Sequence, residues 1–380
     1  MGPLCGRDVA GAMRIGIDAR MMGRDVRGIG RYVERLLAHL ALQDSENRYT
    51  VFTRPSAVDL VPAGMETVVT GIHWYGLAEQ WSLPDIFEGR GLDFVHVPHW
   101  NAPVRMRVPL IMTIHDMILW ERPALGATTL SPIRYAMKYL GYRLTVSANA
   151  RRARRILAVS ESARSAIFRT LGTPPEKVAV TPLGIDPLIR GDLPPGVRPP
   201  FVLSVGSGYP HKNLTTFFHT ADQLMNEDQE LQAVICGTDP AFRDRLVREA
   251  KGIFMGNFPR VVFTGVVPDP ELAALYANAN ALLFTSFDEG FGLPLLEAAA
   301  VGLPVVASDI NTSRETLHDA AILVPPTDIH AYLHAYRRLM AEPTIKDRNI
   351  VAAKARVADF SWERTARLTL AAYREAFSTP

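Results

Sequence analysis

The chain has 380 residues, of which 48% are hydrophobic and 21% charged, and its formal net charge is +2. This length exceeds what one hydrophobic core usually supports, so two domains are expected, and the composition excludes a disordered or fibrous protein. No run of about 18 uncharged apolar residues is present, which argues against a membrane-spanning helix. Two cysteines, Cys5 and Cys236, are too few for a disulfide framework, and we expect a cytoplasmic protein.

Charge is divided unevenly along the chain. Residues 1–190 hold 24 Lys and Arg against 17 Asp and Glu, a net +7, and the remainder holds 17 against 22, a net −5. A basic N-terminal half suits nucleic acid, acidic lipid or a phosphorylated acceptor. Residues 1–12 lack an apolar signal-peptide core, and we expect a flexible lead before a second plausible start at Met13.

The first half alternates short apolar runs with helical stretches. Strands are predicted at 13–18, 49–52, 67–69, 94–97, 109–114 and 156–159. This alternation predicts a parallel sheet with helices on both faces, whose ligands bind at the carboxyl ends of the strands. The residues that directly follow strands are therefore expected at that edge: His99, Trp100, Asn101, His115 and Asp116.

A glycine-rich turn follows the first strand. We expect Gly28 and Gly30 in the loop that ends at Arg31, with a helix from about Tyr32 to Leu42. Such turns commonly bind phosphate, but the third glycine of the dinucleotide fingerprint is missing. The sequence favours a phosphate-binding loop and a plain tight turn equally.

A long helix is predicted from Ser131 to Arg155, with one apolar stripe surrounded by basic residues. The stripe consists of Ile133, Met137, Leu140, Leu144 and Ala148. Such a helix can lie on an anionic membrane surface. The alternative, which we favour from the sequence, is a buried stripe beneath a solvated basic face.

Proline and glycine concentrate between Gly184 and Pro200, which indicates a linker. After it the alternation restarts, with strands predicted at 201–205, 233–236, 261–263, 281–284 and 305–307. We place the N-terminal domain at 13–190 and the C-terminal domain at 191–360, with 191–200 as the linker. A last helix at 361–380 is expected to pack back on the first domain.

Two glutamates eight residues apart, Glu289 and Glu297, follow the apolar run at 281–284. Pro294 suits the first position of a helix and Gly302 its end. Glu289 is therefore expected in the loop after a strand, and Glu297 in the first helical turn.

Glycines stand between these glutamates, at Gly290 and Gly292. They allow the backbone to come close to a ligand, with amide N–H groups and a helix N-terminus facing an anion. Two hydroxyl-binding carboxylates beside a phosphate-sized site indicate a nucleotide-sugar pocket.

A set of short motifs stands in order along the chain: Gly28–Tyr32, Thr113–Asp116, Ala158–Glu161, Ser204–Gly206, His211–Leu214, Phe263–Val267, Glu289–Glu297 and Pro304–Ser308. Together they resemble the family-4 retaining glycosyltransferases of the GT-B fold, over nearly the whole chain from Met13. Within that family the chain looks most like bacterial surface-polysaccharide mannosyl- or rhamnosyltransferases. The resemblance implies an α/β protein of two Rossmann-like, doubly wound domains that face each other across a cleft.

The resemblance also assigns roles. Glu289 would accept hydrogen bonds from the donor sugar, Lys212 would neutralise the leaving diphosphate, and His115 would contact the transferred sugar. Glu297 would bind the ribose hydroxyls. The rest of the donor site would consist of Gly206, His211, Val266, Val267 and the backbone of Gly290, Phe291, Gly292 and Leu293. The N-terminal domain would meet the acceptor through Gly28, Gly30, Trp100 and Asp116.

One departure concerns the diphosphate. Family members often carry an arginine directly before this lysine or five residues before it, where this chain has His211 and Ser207. Either His211 is protonated, or an arginine such as Arg27 or Arg31 substitutes.

No metal or other cofactor is expected. The sequence has no Asp-x-Asp motif, and His96, His99 and His115 lack a complete metal-ligand spacing.

The resemblance implies a metal-independent transferase that moves a hexose, with mannose from GDP-mannose favoured, to a glycan or polyprenyl-diphosphate-linked hydroxyl. A UDP- or dTDP-sugar donor carrying glucose or rhamnose is the alternative within the fold. Three further functions stay open, namely a phosphorylase, a nucleotide-sugar epimerase and a non-catalytic sugar-nucleotide-binding protein.

Nucleic acid is disfavoured as a partner, because the C-terminal half is acidic and no aromatic-basic module is present. Peripheral contact with the inner face of the cytoplasmic membrane stays open, and the oligomeric state is not predicted.

Overall fold

The computed structural model describes residues 11–23, 26–123 and 131–377. The lead predicted at residues 1–12 falls almost entirely outside them. The chain divides into two compact units: unit 1 takes the described parts of 1–117, 133–184 and 362–380, and unit 2 those of 118–132 and 185–361. The described residues 118–123, 131 and 132, which we placed in the first domain, thus belong to unit 2.

The strands are β1 Arg14–Asp18, β2 Arg48–Thr53, β3 Glu66–Val69, β4 Phe94–Val97, β5 Leu110–Ile114, β6 Arg155–Ala158, β7 Val178–Val180, β8 Phe201–Val205, β9 Gln232–Cys236, β10 Val261–Gly265, β11 Ala281–Phe284, β12 Val305–Ser308 and β13 Ile322–Val324. The helices are α1 Arg27–Gln43, α2 Leu77–Trp81, α3 Leu83–Glu88, α4 Ile118–Glu121, α5 Pro132–Arg152, α6 Glu161–Leu171, α7 Leu214–Glu227, α8 Pro240–Phe254, α9 Asp269–Asn278, α10 Leu293–Val301, α11 Asn311–Leu317, α12 Ile329–Ala341, α13 Pro343–Val357 and α14 Trp362–Phe377. None of these described helices combines the length and apolar character needed to cross a bilayer.

Over the described ranges, unit 1 has a parallel sheet of order β3-β2-β1-β4-β5-β6-β7, and unit 2 one of order β10-β9-β8-β11-β12-β13. In unit 2, α7, α8 and α12 cover one face of the sheet, and α9, α10 and α13 cover the other. The strand order reverses between β1 and β4, and between β8 and β11. Ligands of doubly wound sheets bind at such switch points, outside the carboxyl ends of the strands.

Every predicted strand is present, with ends that differ by no more than two residues. Two described strands were not predicted, β7 and β13. Each has three residues and lies at the outer edge of its sheet. Three residues are too few to show a strand periodicity, so these edges could not be read from the sequence.

The glycine turn is not the loop that we predicted, because α1 begins at Arg27. Gly28 and Gly30 therefore lie in its first turn. A Cβ on Gly30 would lie 1.9 Å from the carbonyl oxygen of Gly23. The backbone at Gly23 can therefore pack this closely against α1 only because residue 30 is a glycine. Gly28 is exposed, and close packing does not explain it.

Helix α14 packs on unit 1. Its Trp362 and Tyr373 are buried, and the Tyr373 hydroxyl lies 2.7 Å from Nδ1 of His96 on β4. The hydroxyl of Thr365 donates to the carbonyl oxygen of Pro182 at 2.6 Å. Helix α14 is thus part of the core of the N-terminal unit.

The buried stripe that we favoured for the long helix is wrong. On α5, Ile133, Met137, Leu140 and Leu144 are all exposed. The buried face is instead formed by Tyr142, Val146, Asn149 and Ala150. The helix therefore has an apolar face on each side, and the sequence pattern did not show which one is covered.

Candidate active site

In unit 2, the turn after β8 is joined to the chain after β11 by hydrogen bonds. The amide of Phe287 donates to the carbonyl oxygen of His211 at 2.7 Å. The hydroxyl of Thr285 donates to the carbonyl oxygen of Lys212 at 3.1 Å. The side-chain amide of Asn213 donates to the carbonyl oxygen of Thr285 at 3.0 Å. These bonds fix the turn at the switch point.

This arrangement brings Lys212 and Glu289 together. Nζ of Lys212 lies 2.6 Å from Oε1 of Glu289, and the hydroxyl of Ser286 donates to the same oxygen at 2.6 Å. Both charged side chains are largely shielded from solvent, with 14% and 10% exposed. A Cβ on Gly206 would lie 3.2 Å from Cδ of Lys212. The aliphatic part of the lysine side chain therefore packs against Gly206, directly after β8, where glycine leaves room for it.

Hydrogen bonds from α11 hold the loop that carries Glu289. The hydroxyl of Thr312 donates to the carbonyl oxygen of Glu289 at 2.6 Å, and that of Thr316 to the carbonyl oxygen of Phe291 at 3.0 Å. The ring of Phe291 is buried, so only its backbone is suited to meet a donor. Gly292 has φ +87°, a left-handed conformation that favours glycine, and it precedes the first residue of α10.

Glu297 is the fifth residue of α10, so it lies at the start of the second turn and not in the first as predicted. Pro294 is the second residue, and Gly302 ends the helix with φ +74°. Glu297 is buried, and its Oε2 accepts a hydrogen bond from the hydroxyl of Tyr276 at 2.7 Å. The carboxylate is thereby held in place, and its contact with a ribose stays a prediction.

Glycines meet at the carboxyl ends of β8, β9 and β10. The amide of Gly237 donates to the carbonyl oxygen of Gly265 at 2.7 Å. A Cβ added to Gly237 would lie 3.3 Å from the carbonyl oxygen of Gly206, so these two glycines are also close to each other. Val266 and Val267 follow directly, the first exposed and the second packed against the core. The predicted base-contacting backbone therefore leaves the same edge of the sheet.

His211 is not suited to replace the missing arginine by being protonated. Burial, and then the positive charge of Lys212, lower its pKa to about 4. Its ring stacks on that of Tyr209 with centroids 5.8 Å apart. At neutral pH the imidazole is uncharged in this structure.

Arg122 is a positive group that the sequence analysis did not propose. It belongs to unit 2, and its guanidinium lies 5.6 Å from the ring centroid of Phe287. Its positive charge also contributes to the lowered pKa of His211. The two arginines that we proposed, Arg27 and Arg31, belong to α1 of unit 1, and the side chain of Arg27 is outside the described atoms.

In unit 1, His96 lies in a buried chain of hydrogen-bonding groups. Its Nε2 is 2.8 Å from the hydroxyl of Thr113, which is 3.0 Å from the hydroxyl of Tyr32. Its Nδ1 meets Tyr373 of α14. Burial lowers the pKa of His96 to about 3, so this imidazole is neutral and structural.

His115 and His99 follow β5 and β4 at the same sheet edge. His115 lies with its Nε2 3.0 Å from the carbonyl oxygen of Pro98, which can only accept, so Nε2 carries the proton. Burial lowers the pKa of both imidazoles, to about 3 for His99. Nδ1 of neutral His115 can then accept a hydrogen bond, and its contact with a sugar stays a prediction.

The rings of His99 and His115 stack with centroids 6.1 Å apart, but among the described residues no three His, Cys, Asp or Glu side chains are grouped as a metal site would need. The expectation that the reaction needs no metal stays a prediction.

A buried ionic network lies at the switch point of unit 1. Nη2 of Arg20 lies 2.7 Å from Oδ2 of Asp18 and 2.7 Å from Oε1 of Glu79. Asn101 donates to Glu79 at 2.5 Å. Burial raises the pKa of Glu79, and Arg20 opposes that effect. This network ties α2 to the ends of β1 and β4.

Trp100 stands beside this network. Its ring stacks on Tyr75 with centroids 5.1 Å apart and an angle of 14°, and it meets Tyr142 edge-on at 4.8 Å. Asp116 is half-buried after β5. The residues predicted to meet the acceptor thus lie in unit 1, with Trp100 and Asp116 at the sheet edge and Gly28 and Gly30 in α1.

Two family models match consecutive parts of the chain. Residues 26–187 match the model described as Glycosyltransferase Family 4, and residues 186–357 match the one described as Glycosyl transferases group 1. The chain belongs to the family-4 glycosyltransferases of the GT-B fold. Their two models meet at the boundary between unit 1 and unit 2.

Curated relatives resemble this glycosyltransferase over most of its length. It is 26% identical to O-antigen chain mannosyltransferase B of Escherichia coli, covering 91% of this chain and 96% of that protein. It is 28% identical to D-inositol 3-phosphate glycosyltransferase of Streptomyces bingchenggensis, covering 93% and 85%. The structure of Anabaena Alr3699/HepE in complex with UDP-glucose matches with a TM-score of 0.71, at 17% identity, over 96% of this chain and all of that one.

Several groups that hold the residues of the candidate site were not predicted from the sequence. They are Ser286, Thr312, Thr316, Tyr276, Arg122 and the Asp18–Arg20–Glu79–Asn101 network. Ser286 carried a local signal, since it lies in the same short stretch as Glu289. The others, apart from the neighbours Asp18 and Arg20, are distant in sequence from the groups that they contact.

We expect this glycosyltransferase to lose stability as the pH falls below about 6.5. Folded His96 and His99 bind protons only near pH 3, so below pH 6.5 the unfolded chain binds protons that the folded chain does not. Each such histidine lowers the free energy of unfolding by at most about 1.4 kcal/mol per pH unit. Thermal unfolding between pH 7.5 and 5.0 measures this slope.

The matched control for this slope is an exposed histidine. We expect H96Q to flatten the pH dependence, because its unfolded chain no longer has the imidazole that binds a proton at residue 96. H219Q, on the exposed side of α7, should leave the slope as in the wild type. Equal slopes for wild type and H96Q would contradict the assignment of neutral His96.

Proposed function

We propose that this glycosyltransferase moves a hexose from a nucleoside-diphosphate donor to a hydroxyl acceptor, with retained anomeric configuration and without a metal ion. The contact between Lys212 and Glu289 at the switch point of unit 2 carries the proposal. It combines a cation that can neutralise a departing diphosphate with a carboxylate that can accept hydrogen bonds from sugar hydroxyls.

The proposed order of events begins with these charges. In this structure Lys212 and Glu289 compensate each other; a bound donor would offer Lys212 a diphosphate and leave Glu289 to the sugar. The bond between the anomeric carbon and the phosphate oxygen then breaks while the acceptor oxygen bonds to the same face. The acceptor proton passes to the leaving phosphate oxygen.

The rest of the donor would lie along the described edge of unit 2. Glu297, oriented by Tyr276, would receive the ribose hydroxyls, and the backbone after Gly265 would meet the base. The amide N–H groups of residues 290–293 would meet the sugar and its phosphate near the start of α10. Arg122 would add positive charge near the diphosphate.

Mannose from GDP-mannose is the donor that we propose. The similarity to O-antigen chain mannosyltransferase B over 91% of the chain supports it. A UDP-sugar is the second candidate, favoured by the likeness to the Anabaena protein in complex with UDP-glucose.

The proposed acceptor is a hydroxyl of a glycan or of a polyprenyl-diphosphate-linked sugar, in surface-polysaccharide synthesis. The net charge of +7 in residues 1–190 supports a phosphorylated acceptor. An inositol phosphate is the second candidate, since the relative from Streptomyces bingchenggensis is named for it.

The deciding experiment measures thermal unfolding with GDP-mannose, UDP-glucose, UDP-galactose and dTDP-rhamnose. A donor that binds the folded state at 100 times its Kd raises the free energy of unfolding by about 2.7 kcal/mol. We expect GDP-mannose to raise the midpoint most, and E297A to remove the shift. No shift with any nucleotide sugar would sink the proposal.

The reaction itself is followed by transfer to a candidate acceptor. An NMR spectrum of the product gives its anomeric configuration, and activity in EDTA tests metal independence. An inverted product, or activity lost in EDTA and restored by Mg²⁺ or Mn²⁺, would contradict the corresponding part of the proposal.

A further inference from the structure

The exposed apolar stripe of α5 is a surface with a distinct chemistry. Its members are Ile133, Met137, Leu140 and Leu144, and their exposed fractions are 76%, 70%, 58% and 63%. At about 100° per residue they fall within an arc of about 60°, and at about 1.5 Å per residue they extend over about 16 Å of helix. We call this set the α5 stripe.

The stripe faces away from the core of unit 1. Tyr142, Val146 and Ala150 are buried on the opposite side of the helix. The C-terminal half of α5 is fixed, because the side-chain amide of Asn149 donates to the carbonyl oxygen of Ala102 at 2.6 Å. The stripe is therefore presented on a rigid helix anchored to the domain.

Arg152 also fixes the C-terminal half of α5. This side chain donates to the carbonyl oxygens of Met106 and Pro103, each at 2.7 Å. It therefore holds the helix in place and is not part of the surface that the helix presents.

Basic side chains border the stripe. Arg134 lies at one side of it and Arg143 at the other, and Lys138 follows Arg134 farther round the helix. All three are exposed, and Arg151 continues the line of the stripe at the end of the helix. Helix α5 contains no Asp or Glu. An apolar strip bordered by positive charge is the pattern of a helix that lies in the headgroup region of an anionic bilayer.

We propose that α5 docks this enzyme on an anionic lipid bilayer, with the α5 stripe among the first acyl carbons and Arg134, Lys138 and Arg143 against lipid phosphates. The occupant is argued from charge complementarity: a bilayer rich in anionic lipid offers both the apolar layer and the negative layer that this face requires. This inference goes beyond the transfer reaction, and it fits an acceptor held at a membrane.

Arginines further along the chain do not belong to the surface. Arg154 lies over the ring of Phe377 at 5.3 Å, and Arg155 bonds to Glu375 at 2.5 Å. Variants of these residues would disturb the packing of unit 1. The docking test therefore uses Arg134, Lys138, Arg143 and the stripe itself.

The experiment is flotation of the full chain with vesicles of phosphatidylcholine alone or with about 30% phosphatidylglycerol, at about 0.05 and 0.5 M salt. The apolar variant is I133S/M137S/L140S/L144S, and its control is L42S/I189S/M255S/V351S, which changes exposed apolar residues elsewhere. The charge variant is R134Q/K138Q/R143Q, and its control is R243Q/R248Q/R348Q, which changes exposed arginines elsewhere.

We expect wild type and both controls to float with phosphatidylglycerol vesicles and not with phosphatidylcholine alone, and high salt to weaken binding. The charge variant should bind on the order of 100-fold more weakly, at about 1 kcal/mol per basic residue. The apolar variant should lose at least about tenfold. All variants should keep the midpoint shift with the donor, which separates this inference from the proposed function.

Wild type that does not float, or variants that float as well as their controls, would overturn the proposal. Light scattering addresses the competing occupant, a second copy of the chain. If the apolar variant changes a dimer to a monomer while vesicle binding is unaffected, the α5 stripe is a contact between copies and the proposal fails.

Discussion

Replacing Glu289 by alanine is expected to abolish sugar transfer, with kcat lower by about three orders of magnitude or more, while affinity for the nucleoside diphosphate does not fall. The carboxylate is proposed to act on the sugar, so binding of the nucleotide part does not depend on it. Its removal also frees Lys212 from the 2.6 Å contact that now compensates its charge. Affinity for GDP or UDP should therefore stay level or rise.

The measurements are single-turnover transfer and calorimetric titration of the diphosphate, with circular dichroism to confirm folding. E289Q keeps an oxygen that can accept a hydrogen bond from Ser286 but loses the charge, so it separates polarity from charge. E230A removes an exposed glutamate elsewhere in unit 2 and should behave as wild type. Unaltered turnover in E289A would end the catalytic assignment.

The sheet positions could be predicted from the sequence because parallel strands buried on both faces are continuous apolar runs. Phe201 to Leu203 and Leu282 to Phe284 are such runs, and both strands were placed correctly. The position of a residue after such a run then gives its place at the sheet edge. Lys212 and Glu289 were assigned to one site by the family resemblance, and the fold brings them together although 77 residues separate them.

What could not be predicted depends on contacts between distant parts of the chain. Arg122 stands in the first half of the sequence, yet it belongs to unit 2 and lies over Phe287. Tyr276 and Thr312 are ordinary helix residues until the fold places them against Glu297 and Glu289. Nothing in their local sequence marks these roles.

The error on α5 has a different cause. Periodicity shows that a helix has an apolar face, but not that this face is covered. Here the core takes Tyr142 and Val146, while Leu140 and Leu144 stay exposed. The covered face includes a tyrosine and an asparagine, so it looked less apolar than the exposed one.

Replacing Lys212 by methionine is expected to weaken both transfer and diphosphate binding, because the proposed diphosphate neutralisation is lost. Removing one such group from a transition state typically lowers kcat by about 10²–10³. Affinity for the diphosphate should fall by about 10- to 100-fold, as for the loss of a charged hydrogen bond, while affinity for the free nucleoside is unchanged. K251M, an exposed lysine on α8, is the control, and R122Q should give a smaller loss of the same kind.

The double variant K212M/E289A decides whether the two residues act on the donor or only on each other. In K212M alone, the uncompensated carboxylate of Glu289 repels the diphosphate, so part of the lost affinity comes from that repulsion. Removing Glu289 as well should restore part of the affinity without restoring transfer, giving a coupling between the two positions. If the pair is only structural, calorimetry will show equal diphosphate affinity for wild type and both single variants, and their activities will follow folded fraction alone.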